Sequence, residues 1–496
     1  MKFKELPINK EINRFRNHID ELDNTRIIFS GIFGIGKTYF IQKFFESETN
    51  YIPIKLSPVN YSVNQNEDIF ELIKYDIAFQ VLSKNPDFEK TNFSKFFSGQ
   101  FYILDNYKKI ISNLVENLSK IDQHINLIVE PAYKLGRQIE EFSKEANKDD
   151  KKELTEFLTF FKDQKGTIKE ENNITLLLST LISTLKKENK KVVLIIDDLD
   201  RIDPEHIFRL LNIFSAHFDF QELEEEENKF GFDKVILICD IENIRGIFHN
   251  KYGANIDFSG YIDKFYTHEI YYYNIENVIK ENLTHFLTSI KSSDQTFIQS
   301  LQSPGSYIKN DLQLFLSYLI DSNSLSLRKL YSFLNLGLTF PKYKLQVGKS
   351  SRYPIYSTST PVFFIIETLE KLFGSKANFL NAIDKVIDKY PLISLERYSN
   401  YNDTSIGSLA MIAGYSKTDL TPSDDVTYSY DILGYNLEYR IEVHNYSYGL
   451  TGYLKKLSST KSNEVPTENT SNYVLPYFQL LKEACIAKNQ IAKKFE

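Results

Sequence analysis

Short runs rich in apolar residues alternate with amphipathic segments over the N-terminal half of the chain. Runs of this kind lie at 27–29, 51–56, 192–196 and 235–239, and a further strand is predicted within 262–273. The unbroken apolar runs are typical of strands buried on both faces. Segments with helical spacing of apolar residues follow these strands. The repeated order of strand, loop and helix predicts βαβ units and a mostly parallel sheet.

A different pattern separates the second predicted strand from the third. Residues 92–166 have helical periodicity and little glycine, with a charged run at 144–153. We therefore predict an α-helical insertion. An amphipathic element lying on a membrane surface is the alternative, although the balanced charges favour a solvated helical hairpin.

The C-terminal half begins with helical periodicity from 274 to about 338. Residues 341–361 are rich in Ser, Thr, Lys and Pro, which is typical of a linker or long loop. The remaining predictions are helices at 362–373, 379–390 and 472–494, and strands within the tyrosine-rich stretch 427–449.

A glycine-rich loop lies between the first predicted strand and the next helical segment. It has the spacing G-x-x-x-x-G-K-T, which is the phosphate-binding P-loop pattern, and it lies in the strand–loop–helix context that this motif requires. A glycine-rich turn without a ligand is the alternative, but this context favours a nucleotide site. The loop consists of Gly31, Ile32, Phe33, Gly34, Ile35, Gly36, Lys37 and Thr38.

The residue types of this loop suit phosphate binding. Glycines allow the backbone to approach a phosphate closely, and the N-terminus of the following helix attracts anions. Lys37 is expected to reach the β- and γ-phosphates, and Thr38 to place its hydroxyl on Mg²⁺. Tyr39, the next residue, is included among the predicted nucleotide contacts.

The predicted fold class is α/β. It combines a P-loop NTPase core containing a mostly parallel sheet with an α-helical insertion, a helical lid and a separate mixed C-terminal domain. The predicted boundaries are 1–91 and 167–273 for the core, 92–166 for the insertion, 274–340 for the lid and 341–496 for the C-terminal domain.

Composition and charge argue against several classes of protein. The 496 residues carry a formal net charge of −7, which does not favour a general nucleic-acid footprint. Two cysteines, Cys239 and Cys485, are too few for a disulfide framework and indicate a reducing compartment. The N-terminus lacks a signal-peptide pattern, and no window approaches the ~18 apolar residues of a membrane span. These features predict a cytoplasmic protein.

Acidic residues end the third predicted strand. In P-loop NTPases an acid at this position binds Mg²⁺, which makes Asp197 the second candidate metal ligand beside Thr38. A neighbouring acid orients the attacking water, and Asp198 is the candidate for this role. Asp198 and Lys37 are both candidate catalytic residues. The alternative is a polar strand end with a helix cap, formed by Asp197, Asp198, Asp200 and Asp203.

The sequence allows two roles for Asp240 and two roles for Arg201. Asp240 ends the fourth strand, where it either senses the γ-phosphate or simply caps the next helix. Arg201 either pairs with Asp200 or a neighbour, or reaches the nucleotide of another protomer.

The motifs at 31–38 and 195–201, the latter reading I-I-D-D-L-D-R, resemble the KAP family of P-loop NTPases, which is related to the STAND and AAA+ groups. The family's Walker B strand typically ends in D-D-L-D-R. The resemblance implies an ATP hydrolase that uses Mg²⁺. Many family members carry transmembrane helices between the Walker A and Walker B segments, whereas the corresponding residues here are charged.

Two further residues are candidates through this resemblance. The stretch Y-I-D-K-F at 261–265 is similar to an aromatic-acid-lysine motif of the family, which makes Lys264 a candidate functional residue. Residues 325–334 resemble the helix whose arginine senses the nucleotide from the lid, so Arg328 is a candidate catalytic residue. For both residues an ordinary surface cation is the alternative.

The family is associated with bacterial mobile elements and antiphage defence, often as the ATPase of a multi-gene system. The resemblance therefore implies protein partners encoded nearby, and we also expect a homo-oligomer. The leading hypothesis is an ATPase switch. The alternatives are a nucleotide-gated oligomeric scaffold with negligible turnover and a nucleic-acid-stimulated ATPase. For the C-terminal domain we expect protein contacts, and a packed β-core is favoured over stacking of nucleobases on its aromatic residues.

Overall fold

The structure is a computed structural model. It describes residues 6–60, 73–74, 76–77, 80–81, 178, 182–183, 185–186, 190–216, 230–342, 344–345, 355–396, 400–415, 426–444, 449–459 and 472–493. The predicted insertion at 92–166 lies outside the described residues. The chain divides into two compact units. The sheet unit comprises 8–32 and 37–273, and the helical unit comprises 1–7, 33–36 and 274–496.

The sheet unit contains a five-stranded sheet in its described part, in which the strands lie in the order Tyr51–Leu56, Lys191–Ile196, Lys234–Cys239, Arg26–Ser30 and Tyr271–Tyr272. Every neighbouring pair is parallel. This confirms the predicted α/β P-loop fold. The strands are β1 (Arg26–Ser30), β2 (Tyr51–Leu56), β3 (Lys191–Ile196), β4 (Lys234–Cys239) and β5 (Tyr271–Tyr272).

Helices cover this sheet, and the two faces of the sheet have different packing. One face carries an aromatic cluster in which the rings of Phe15 and Phe29 lie 5.2 Å apart and those of Phe29 and Phe40 lie 5.6 Å apart. The aliphatic side chains of Ile28 and Leu237 belong to a separate buried cluster. The helices of the sheet unit are α1 (Asn9–Asp20), α2 (Lys37–Ser47), α3 (Pro204–Leu211), α4 (Ile241–Tyr252) and α5 (Phe258–Ile262).

The strand order determines which loops meet. Because β4 lies between β1 and β3, the carboxyl end of β4 is adjacent to both. Ser30 is aligned with Cys239, and Ile196 with Leu237. The glycine-rich loop, Asp240 and Asp197 therefore all begin at one edge of the sheet. In open α/β sheets, ligands bind at the carboxyl ends of the strands.

The helical unit begins with five helices, α6 (Glu276–Glu281), α7 (Leu283–Thr288), α8 (Gln295–Gln302), α9 (Tyr307–Asp321) and α10 (Leu327–Leu334). Two short strands that pair in parallel, β6 (Lys291–Ser292) and β7 (Gly337–Leu338), interrupt the predicted helical stretch. Within the predicted linker, β8 (Lys344–Leu345) pairs with β9 (Ile355–Tyr356). The later helices are α11 (Pro361–Phe373), α12 (Lys376–Lys389), α13 (Asn400–Gly414) and α14 (Tyr477–Lys493).

The tyrosine-rich stretch forms strands, as its alternation predicts. β11 (Tyr428–Ile432), β12 (Tyr435–His444) and β13 (Gly449–Ser459) make an antiparallel sheet. The predicted helix at 472–494 is wrong at its start, where β14 (Asn472–Leu475) pairs with β10 (Ile393–Glu396). In β14, exposed and buried residues alternate, which suits a strand, and the helix begins only at Tyr477.

A buried carboxyl group joins three helices of the helical unit. Asp311 on α9 accepts a hydrogen bond of 2.5 Å from the Ser405 hydroxyl on α13. That hydroxyl also bonds the Tyr477 hydroxyl at the start of α14. Burial raises the pKa of Asp311 to about 7, against the opposing effect of the hydrogen bonds from Ser405 and Tyr477. Below about pH 7, the folded unit therefore favours the protonated acid.

The wild type is expected to lose stability as the pH rises from about 4 to 7, whereas the Asp311→Asn variant is not. The stability of the variant relative to the wild type should therefore increase over this range. Below the ordinary pKa of 3.8, both folded and unfolded chains hold the Asp311 proton. Between 3.8 and about 7, only the folded chain holds it, so its contribution to stability falls. The difference reaches on the order of 4 kcal/mol. Urea unfolding of both proteins at pH 4.5 and 7.5 measures it.

Asp388→Asn serves as the control, because this carboxylate on α12 is exposed. An Asp311→Asn effect of equal size at both pH values would contradict the raised pKa.

Candidate functional site

The glycine-rich loop connects β1 directly to α2. Gly34 and Gly36 have φ angles of 78° and 99°, a left-handed conformation that side chains disfavour. Helix α2 begins at Lys37, so its first backbone N–H groups have no partners within the helix. These groups and the helix dipole make the loop suitable for an anion.

Lys37 folds its side chain back onto the loop. Its Nζ donates to the carbonyl oxygen of Gly31 at 2.6 Å and lies 3.4 Å from that of Ile32. The residue is only 8% exposed, whereas Thr38 and Tyr39 are exposed. The structure therefore places a cation against the loop backbone and leaves Thr38 exposed at the start of α2.

Asp197 follows β3 and is 3% exposed. Its Oδ2 lies 3.0 Å from Nζ of Lys55 on β2, and its Oδ1 accepts a 2.9 Å hydrogen bond from the backbone N–H of Asp198. Both carboxylate oxygens are thus fixed in direction. Sequence reasoning missed Lys55. The signal for it was a single cation in an otherwise mostly apolar strand that flanks the acid-bearing strand.

Asp198 has a left-handed backbone, with φ 54° and ψ 37°. Such a conformation costs roughly 1–3 kcal/mol for a residue other than glycine, and such residues cluster at functional sites. Its side chain is partly exposed, and Oδ2 accepts a 3.0 Å hydrogen bond from Arg201 Nη1. Arg201 therefore pairs with the neighbouring Asp198 within the chain.

Asp240 caps helix α4, because its Oδ1 accepts from the backbone N–H of Glu242 at 3.1 Å. Burial raises the pKa of Asp240, while the positive charge of Lys37 opposes this shift and the negative charge of Asp200 adds to it. Nearby, Ser30 Oγ accepts from the backbone N–H of Ile241 at 3.1 Å. The helix-cap interpretation is thus observed, and the phosphate-sensing role stays a prediction.

Lys264 packs against aromatic rings of its own segment. Its Nζ lies 4.4 Å from the ring centre of Tyr261 and 4.8 Å from that of Phe265. Its carbonyl oxygen accepts from Arg26 Nη1 at 2.9 Å. These contacts give Lys264 a structural role.

Arg328 is the second residue of α10, within the helical unit. Its backbone N–H donates to the carbonyl oxygen of Gly34 at 3.2 Å. Its guanidinium carbon lies 5.1 Å from the ring centre of Phe33. The structure therefore brings Arg328 together with residues 33 and 34 of the glycine-rich loop, which belong to the same unit.

The donor set suits Mg²⁺ bound together with phosphates. Among the described residues, no group of three or more His, Cys, Asp or Glu side chains converges to hold a metal. Mg²⁺ usually binds through one or two carboxylates, waters and substrate phosphates rather than an all-protein cage. The Thr38 hydroxyl and the Asp197 carboxylate fit that requirement.

Within the parts of the chain that the structure describes, no helix combines the length and apolar character needed to cross a membrane.

The KAP family P-loop domain matches residues 7–338. Because this match covers more than half of the sequence, the chain belongs to the KAP family of P-loop domains. No curated protein matches the sequence.

Proposed function

We propose that this KAP family protein binds ATP with Mg²⁺ and hydrolyses it as a conformational switch. The observation that carries the proposal is the position of Lys37, folded onto the backbone of a glycine-rich loop at a helix N-terminus. The same sheet edge carries Asp197 and Asp240. Backbone N–H groups, a cation and acids at one edge are the parts that phosphoryl transfer needs.

Each predicted residue has a distinct role in this proposal. The loop from Gly31 to Thr38 holds the phosphates, and Lys37 reaches the β- and γ-phosphates. Thr38 and Asp197 would hold Mg²⁺, whose charge would offset that of the phosphate oxygens. Arg328 donates to the γ-phosphate beside the loop residues that it contacts. Tyr39 and Asp240 complete the set of nucleotide contacts.

Asp198 is proposed as the residue that orients the attacking water. The water oxygen forms a bond to the γ-phosphorus while the bond from this phosphorus to the bridging oxygen of ADP breaks. Asp198 accepts the water proton, which later passes to the released phosphate or to solvent. The partly exposed side chain of Asp198 suits a group that must meet water.

One observation favours the second candidate, a nucleotide-gated scaffold with negligible turnover. Both acids form ion pairs, Asp197 with Lys55 and Asp198 with Arg201. If these pairs persist with nucleotide bound, they hold both carboxylates away from their roles in hydrolysis. Binding would then proceed without turnover.

We further propose that protein partners, encoded nearby in a multi-gene system such as antiphage defence, read the switch, and that the protein is a cytoplasmic homo-oligomer. The resemblance of 31–38 and 195–201 to the KAP family supports the multi-gene setting.

Calorimetry and phosphate release with purified protein test the function. We expect binding of ATP that depends on Mg²⁺, followed by phosphate release, with GTP binding more weakly. Binding without release would favour the scaffold, and stimulation by DNA or RNA would favour the nucleic-acid-dependent alternative. Failure to bind either nucleotide would overturn the proposal. Light scattering with and without ATP measures assembly.

A further inference from the structure

Phe33 is an exposed aromatic residue within the glycine-rich loop. It occupies a variable position of the loop motif, and 48% of its surface is exposed. Its ring faces Arg328, whose guanidinium carbon lies 5.1 Å from the ring centre. This distance is within the range of a cation–π contact. A large apolar side chain at an exposed loop position therefore has a specific partner.

The backbone near Arg328 is fixed on the same loop. A Cβ added to Gly34 would lie 2.8 Å from Cβ of Ser326, and one added to Gly36 would lie 3.6 Å from Leu327 Cδ2. The Arg328 N–H bonds the carbonyl oxygen of Gly34. Three consecutive residues, from Ser326 to Arg328, thus contact the loop, and the contact with Phe33 adds an interaction that orients the Arg328 side chain.

The neighbouring cation on α10 points to a different ring. Nζ of Lys329 lies 4.2 Å from the ring centre of Phe373 in the last turn of α11, and burial lowers the pKa of Lys329. The two consecutive cations therefore contact different aromatic rings, Arg328 that of Phe33 and Lys329 that of Phe373. Only Arg328 of this pair is directed to the loop.

We propose that Phe33 is a positioning residue that orders Arg328 for the γ-phosphate of the bound nucleotide. A guanidinium group stacks on an aromatic ring through its flat face and still presents N–H donors at its edge. The ring therefore selects the side-chain conformation without using the donors that a phosphate needs. This inference rests on the proposed function and assigns a task to a loop position that the motif leaves variable.

Nucleotide affinities of Phe33 variants test the proposal. Phe33→Leu keeps an apolar side chain but removes the ring. We expect it to weaken binding of a non-hydrolysable ATP analogue about two- to fivefold, the size of an exposed cation–π contact. ADP affinity is expected to fall by a smaller factor than the analogue affinity, because ADP lacks the γ-phosphate that Arg328 contacts. Phe33→Tyr keeps an aromatic ring and is expected to bind the analogue with an affinity close to that of the wild type.

A double-mutant cycle separates positioning from a general effect on the loop. In the Arg328→Gln background, Phe33→Leu is expected to have no further effect on analogue affinity. Lys329→Gln is the matched control, since this cation contacts Phe373, and here the effect of Phe33→Leu should persist in full. Equal loss of ADP and analogue affinity, or an unchanged effect in Arg328→Gln, would overturn the positioning role.

A spectroscopic readout is independent of turnover. The chain has no tryptophan, so Phe33→Trp introduces a single one. We expect its emission to change on adding the ATP analogue, and this response to shrink when Arg328 is replaced by Gln. A wild type that binds no triphosphate would remove both this inference and the proposed function. Normal wild-type binding with an unaffected Phe33→Leu protein removes the inference alone.

Discussion

Lys37→Ala is expected to weaken ATP binding at least about 100-fold and to abolish hydrolysis. The Lys37 ammonium already lies against the loop, 2.6 Å from the Gly31 carbonyl oxygen. Charge-assisted hydrogen bonds contribute about 1.5–3 kcal/mol each, so losing one or two to phosphate oxygens accounts for this change. Calorimetry with Mg²⁺ and a non-hydrolysable ATP analogue measures the affinity, and phosphate release measures turnover.

Lys251→Ala is the matched control, because Lys251 lies in the last turn of α4, at the opposite end of that helix from Asp240, and forms an ion pair with Glu205 at 3.7 Å. Its removal changes the net charge equally but should leave nucleotide affinity within about twofold, since an exposed ion pair far along the helix contributes about 1 kcal/mol or less. Thermal unfolding of both variants checks that the fold is intact. Wild-type affinity in Lys37→Ala would exclude the loop as the phosphate site.

The sheet is the part of the fold that hydrophobic pattern predicts well. β3 and β4 are buried almost throughout, and after the lysine that begins each strand their residues are apolar and form clear runs. The short β5 was placed only within 262–273, because two residues of pairing leave little pattern. At 472–475 the alternation of β14 is too brief to distinguish from the helix that follows it.

The site was predictable where a motif fixes both residue type and spacing. The loop and the acids after β3 belong to this class. Lys55 was not predictable in the same way, because its ion pair with Asp197 depends on the adjacency of β2 and β3, which are far apart in the sequence. The contact of Phe33 with Arg328 likewise joins residues that only the folded chain brings together.

Asp198→Asn is expected to bind Mg²⁺ and ATP with near-wild-type affinity while reducing turnover about 100- to 1,000-fold. Loss of a general base typically costs a factor of this size. Asparagine matches aspartate in size and tolerates the left-handed backbone observed at this position. Its amide oxygen still accepts the hydrogen bond from Arg201. The substitution therefore removes the charge and basicity while preserving the local geometry.

Asp203→Asn provides the matched control for the same chemical change five residues away. Asp203 caps α3 by accepting from the backbone N–H of Glu205 at 2.8 Å, and asparagine caps helices equally well. Turnover should therefore stay close to wild type in Asp203→Asn. Single-turnover phosphate release at saturating ATP compares the three proteins directly. Undiminished hydrolysis by Asp198→Asn would remove this residue from the base role, whereas lost ATP affinity would assign it to nucleotide binding instead.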